Sequence, residues 1–194
     1  RAWERFAAKH SLDLERIMHT AHGKRAIDTM RAFAPHLDLE AEAHEFSRWE
    51  IDNMDGVFAI PGARRLMETL PAGRWAIVTS ADDALARARL SAADLPAPSR
   101  MITADLVQRG KPDPQAYLLG SRLIQVPPEG CLVIEDAPAG IHAGKAAGMR
   151  VLGVPTTHDP SDLAEADAVI QSIQSLDVLP AEKPGAFFTL QITG

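Results

Sequence analysis

Three polar marks interrupt the apolar runs of this chain, and each carries a group type that handles phosphate. Thr79 and Ser80 follow Ile77 and Val78; Lys111 stands between Gly110 and Pro112; Glu135 and Asp136 follow Cys131, Leu132, Val133 and Ile134. A hydroxyl at the end of an apolar run, with the backbone N–H groups of the turn behind it, can hold phosphate oxygens at a helix N-terminus. The same residues also serve as an ordinary helix cap, with Asp82 and Asp83 favourable to the helix dipole. The two roles are compatible. Lys111 offers a compact charge suited to phosphate, and its Gly and Pro flanks give a rigid loop that aims it. Adjacent carboxylates placed directly after four apolar residues repel one another and are poorly solvated unless a cation joins them. Magnesium, which takes one or two carboxylates plus water and substrate phosphate, fits that pair. Asp136 as a plain helix cap before Pro138 explains one acid and leaves Glu135 over.

The elements that must position these marks follow from periodicity. Up to about residue 56 the pattern is helical, with Trp3, Phe6 and Ala7, then Ile17, Met18 and Ala21, then Ile27, Met30 and Phe33, then Ala43, Phe46 and Trp49 at three-to-four spacing. Pro35 and the acidic stretch 38–45 are expected to separate the later helices. From residue 57 strands and helices alternate. Strands are predicted over 75–79, 100–103, 131–134, 151–154 and 168–170, with helices over 62–70, 82–93, 114–123 and 139–147 between them. This alternation implies a mostly parallel sheet with helices on both faces. The tail, 176–179 and 186–192 around residues 182–185, reads as an appended β-hairpin. Ligands of open parallel sheets bind beyond the carboxyl ends of strands, and all three polar marks lie there or in neighbouring loops.

Composition bounds the partners. With 194 residues, 46% hydrophobic and 24% charged, the chain can bury a sizeable core. A formal charge of −6 argues against nucleic acid or an anionic membrane surface as partner. No apolar stretch approaches the ~20 residues of a membrane span, and no leader precedes the first helix, so a cytoplasmic location is expected. The single Cys131 lies within an apolar run and reads as a buried core thiol in a reducing compartment.

The ordered set Ile77-Val78-Thr79-Ser80, Gly110-Lys111-Pro112-Asp113-Pro114 and Val133 to Ile141 around Glu135-Asp136 resembles motifs two, three and four of the haloacid dehalogenase superfamily. It is similar to the branch with a helical C1-type cap, which contains β-phosphoglucomutases and bacterial hexose- and hexitol-phosphate phosphatases. The similarity runs over nearly the whole chain, including His22-Gly23-Lys24 and Ala116 to Gly120. It implies a Rossmannoid α/β core over 57–194 with a parallel sheet, and a small all-helical cap over 1–56. It implies Mg²⁺-dependent hydrolysis of small sugar or polyol phosphates through an aspartyl-phosphate intermediate. Thr79 and Ser80 would bind the transferring phosphoryl group, Lys111 would stabilise its charge, and Glu135 and Asp136 would hold the metal. His22, Lys24 and Arg25 would be the cap's contribution to substrate.

One motif of the superfamily has no counterpart. The Asp-x-Asp-Gly-Thr segment that supplies the nucleophile does not occur in these residues, and with it the first strand is expected upstream of Arg1. Without that segment the chain is expected to be inactive. A phosphomutase of the same branch would share every motif seen. A catalytically dead module that binds sugar phosphate or protein also remains open, whereas a phosphoacceptor receiver domain places its acidic pair early in the chain. The expected assembly is a monomer or weak homo-oligomer.

Overall fold

A computed structural model describes residues 1–181 and 186–193 of the chain. Its first part is four helices, α1 (Ala2–His10), α2 (Leu14–Ala21), α3 (Ala26–Phe33) and α4 (Leu39–Asp52). Asp13 and Asp38 start α2 and α4 by accepting from the amides of Arg16 and Ala41, N–H groups that have no partner inside the helix. The apolar stripes meet in a core of Phe6, Ile17, Met30 and Phe46, with the Trp3 ring 4.5 Å from that of Phe46. Residues 38–45 do not separate two helices as expected. They cap and open α4, because acids are favourable in a first helical turn, and Glu42 and Glu45 additionally pair with Lys9.

Beyond α5 (Ala63–Thr69) come β1 (Ile77–Val78), α6 (Asp83–Ala92), β2 (Met101–Ile102), α7 (Gln115–Ile124), β3 (Leu132–Glu135), α8 (Pro138–Ala146), β4 (Arg150–Gly153) and β5 (Ala168–Val169). The chain ends in an antiparallel pair, β6 (Leu176–Leu179) and β7 (Thr189–Ile192), whose register runs from Leu176 opposite Ile192 to Leu179 opposite Thr189. Residues 182–185, expected as its turn, lie outside the described residues. Strands β1 to β5 pair in parallel, as the alternation implies, but in two pieces, β1–β2 and β3–β4–β5.

The strands expected over 75–79 and 100–103 shorten to two paired residues each. A ladder extends only where a neighbour supplies partners, and among the described residues β1 pairs on one side alone. The same holds for β3. Side chains of β3 and β4 alternate between two layers: Val133 and Val151 pack with Ile141, Ala143 and Tyr117 of α8 and α7, and Leu152 and Ile134 pack with Ile170, Ile173 and Leu66. Cys131 is buried just before β3, where burial first and Glu129 second push its thiol pKa up. The helical part leans on the α/β part through Ile51 and Met54 against Leu85 and Ala86, and through a 2.8 Å pair between Glu50 and Arg89. No helix of the described residues is long and apolar enough to cross a membrane.

Candidate active site

The carboxyl ends of β1 and β3 are joined by one side chain. Lys111, only 6% exposed, donates from Nζ to the Val78 carbonyl at 3.4 Å and to Glu135 Oε1. The loop that carries it is fixed from within. Gln115 Oε1 accepts from the amides of Gln108 and Arg109 at 3.0 and 2.8 Å, and the Asp113 amide donates to the Gly110 carbonyl at 3.0 Å. The Lys111–Pro112 peptide is cis.

Glu135 is the hub of the floor. Its Oε1 accepts from Lys111 and from the Tyr117 hydroxyl, and its Oε2 accepts from the amides of Asp136 and Ala137 at 3.1 and 3.4 Å. Burial by itself would raise the carboxyl pKa, but the Lys111 charge and hydrogen bond, helped by Tyr117 and the Asp136 amide, outweigh it and hold the pKa below the ordinary range. Tyr117 is driven the other way, well above the usual phenol range, by burial first and the Glu135 charge second. The space for this carboxylate exists because residue 140 has no side chain: a Cβ there would overlap the Glu135 carboxyl carbon and both oxygens.

The hydroxyl of Thr79 accepts from the Ala81 amide at 3.1 Å, which leaves its own proton free for a ligand. Asp82, rather than Ser80, caps α6 by accepting from Leu85 N. Asp136 Oδ2 accepts from the hydroxyls of Thr156 and Thr157 at 3.1 and 2.9 Å, and its carbonyl accepts from His158 Nδ1 at 3.1 Å if that nitrogen is protonated.

All eight residues expected for the site line one cleft of about 1230 Å³ between the helical part and the strand ends. They do not all present free groups to it. Thr79, Lys111, Glu135 and Asp136 form its floor, whereas Ser80 Oγ turns to the Gly23 carbonyl at 2.8 Å. Arg25 is tied to Asp28 and to the carbonyls of Val107 and Gln108. His22 meets His158 edge to face at 5.2 Å, and Lys24 has no ion-pair partner among the described residues. Tyr117 and Gly140 lie in segments that carry the resemblance, but sequence reasoning gave them no role, and it missed the Thr156 to His158 loop. That loop follows β4 directly, so the strand-end rule that found the other marks applies to it equally. A buried lysine, a donor hydroxyl and strand-end carboxylates around one cleft can bind a phosphoryl group and stabilise its charge.

The chain is similar in sequence and fold to known proteins. The family profile "Hydrolase: haloacid dehalogenase-like hydrolase" matches residues 2–148. Hexitol phosphatase A of Escherichia coli is 43% identical over 183 residues, which cover 92% of this chain and 85% of that protein. Glycerol-1-phosphate phosphohydrolase 1 of Saccharomyces cerevisiae is 34% identical over 191 residues, covering 91% and 76%. The crystal structure of a β-phosphoglucomutase from Clostridium difficile shares the fold at a TM-score of 0.76 and 20% identity, over 91% of this chain and 84% of that one. The chain belongs to the haloacid dehalogenase-like hydrolase family.

Proposed function

We propose that the protein is a magnesium-dependent phosphatase of small sugar or polyol phosphates. The observation that carries this reading is the buried Lys111 ammonium, held between the end of β1 and Glu135 on the floor of a cleft that also contains the Thr79 hydroxyl. The names of the hexitol phosphatase and the glycerol-1-phosphate phosphohydrolase support the substrate class. In this reading Thr79 donates to a phosphoryl oxygen, and Lys111 neutralises the charge on the group in transfer. Residues 1–56 act as a cap whose closure excludes water, with His22 and Lys24 reaching substrate hydroxyls.

The donor set fits Mg²⁺. Of the two Asp136 carboxylate oxygens only Oδ2 accepts a hydrogen bond from the described residues, so Oδ1 is available to a cation. Glu135 adds negative charge beside it, though both its oxygens already accept from buried donors. Asp136, with Glu135 beside it, would hold the ion, which when bound neutralises phosphoryl charge.

The attacking group in this reading is an aspartate on a strand lying between β1 and β3, supplied by sequence upstream of Arg1. The edges of β1 and β3 that have no strand partner among the described residues, and the apolar lining of Val78, Ile134 and Val154 in the same cleft, support that position. Its carboxylate oxygen attacks phosphorus, the bond from phosphorus to the sugar oxygen breaks, and water then hydrolyses the aspartyl phosphate.

The test is phosphate release from a hexitol phosphate, 2-deoxyglucose 6-phosphate and glycerol 1-phosphate, comparing residues 1–194 with the chain continued upstream in its own reading frame. Release by the longer chain alone is expected. Migration of phosphate within the sugar, without free phosphate, would make the protein a mutase. Inactivity of the longer chain on every substrate would sink the substrate class.

A further inference from the structure

Arg25 opens α3, and its guanidinium is shared between that helix and the other part of the molecule. Nε and Nη2 form a fork on the Asp28 carboxylate at 2.7 and 2.9 Å, while Nη1 and Nη2 donate to the carbonyls of Val107 and Gln108 at 2.8 and 3.0 Å. Four of the five N–H donors of the guanidinium are thereby used, and the side chain is 12% exposed. Little of it is left for an anionic ligand. The pair presses on the residue before Lys111: a Cβ on Gly110 would stand 2.7 Å from Arg25 Nε and closer still to Asp28. Gln115 holds the amides of this loop, and Arg25 holds its carbonyls from 82 and 83 residues away in sequence.

We propose that Arg25 is a positioning residue: with Asp28 it clamps the helical part onto the loop that carries Lys111, so that closing the cleft and aiming the lysine are one event. The role of Lys111 in this statement rests on the phosphatase reading; the clamp itself does not. A bidentate fork that also reaches two carbonyls is a task for a planar guanidinium, and an ammonium cannot reproduce it. A glycine at 110 is the other half of the device, since a Cβ there would displace the Arg25–Asp28 pair from the loop.

Hydrogen exchange at the amides of Gln108 and Arg109 in ligand-free protein tests the clamp without turnover. Arg25→Lys keeps the charge and loses the fork; Gly110→Ala removes no donor and wedges the contact. Each is expected to speed exchange in the loop about tenfold or more relative to β3 and β4, with far-ultraviolet circular dichroism unchanged. In the turnover assay each should lower kcat about tenfold or more with KM held within about threefold. Unchanged exchange in both variants overturns the clamp. A change in KM alone, with an unaltered loop, would make Arg25 a substrate ligand. If no phosphatase activity is found at all, the exchange result still decides the clamp, and the failure belongs to the proposed reaction.

Discussion

Replacing Gly140 by alanine should destabilise the protein far more than one methyl group ordinarily does. In a helix Gly→Ala usually adds up to about 1 kcal/mol of stability. Here the new Cβ would overlap the Glu135 carboxylate, which cannot swing aside without releasing Lys111, Tyr117 and two backbone amides. Overpacking costs about 1–3 kcal/mol, and breaking a buried charge pair about 3–5 kcal/mol. Against the helix gain, the net loss is about 3–7 kcal/mol, a large share of the ~5–15 kcal/mol that holds a typical domain together. Urea unfolding followed by circular dichroism gives the free energy, and a melting temperature lowered by about 10 °C or more should accompany it. Gly148→Ala sets the scale: φ is +75° there but nothing lies within 4 Å, so only about 1–2 kcal/mol should be lost. A Gly140→Ala protein as stable as its parent would refute the placement of Glu135 and with it the geometry of Lys111.

Further outcomes follow from the same cluster. Tyr117 is the only tyrosine in the chain, so near-ultraviolet titration reports it alone, and it should ionise above the ordinary phenol range. Its raised pKa means that its contribution to stability is complete below about pH 10 and lost as pH rises through the folded value; Tyr117→Phe should remove that alkaline loss in thermal melts. Glu135 has the opposite sign: its lowered pKa contributes stability above about pH 4.3, lost as pH falls through the folded value, and Glu135→Gln should blunt this acid dependence. Lys111→Met should cost about 3–5 kcal/mol, because Glu135 is left buried without its cation, and should abolish phosphate release by the chain continued upstream. Cys131 should react with a thiol reagent slowly in the native protein and rapidly in urea.

Thr79, Glu135 and Asp136 could be picked out from sequence because each follows an apolar run, and the end of a parallel strand is a position in space as well as in sequence; Lys111 could be picked out by the Gly and Pro residues that stiffen its loop. Tyr117 could not be picked out. Its hydroxyl meets Glu135 only because α7 packs against the β3 layer, and helical periodicity records that the ring is inside without saying what it touches. Ser80 and Arg25 are legible as polar groups near a ligand, but Ser80 and half of the Arg25 donors bond backbone carbonyls of the opposite part of the molecule, which no pattern in a single sequence registers. Strand lengths failed for a related reason: β1 and β2 extend only as far as their ladder partners do. The acidic stretch 38–45 looks like a linker because of its charge density, yet an acid-rich first turn is also how a helix begins.

The most direct test of the proposed activity is the initial rate of phosphate release from a hexitol phosphate as Mg²⁺ is varied, measured on the chain continued upstream of Arg1 and on its Asp136→Asn variant. Saturable dependence on Mg²⁺ in the parent, and loss of roughly two orders of magnitude or more in Asp136→Asn, is the expected result. Equal rates in the presence of a chelator, or an unaltered Asp136→Asn variant, would contradict it.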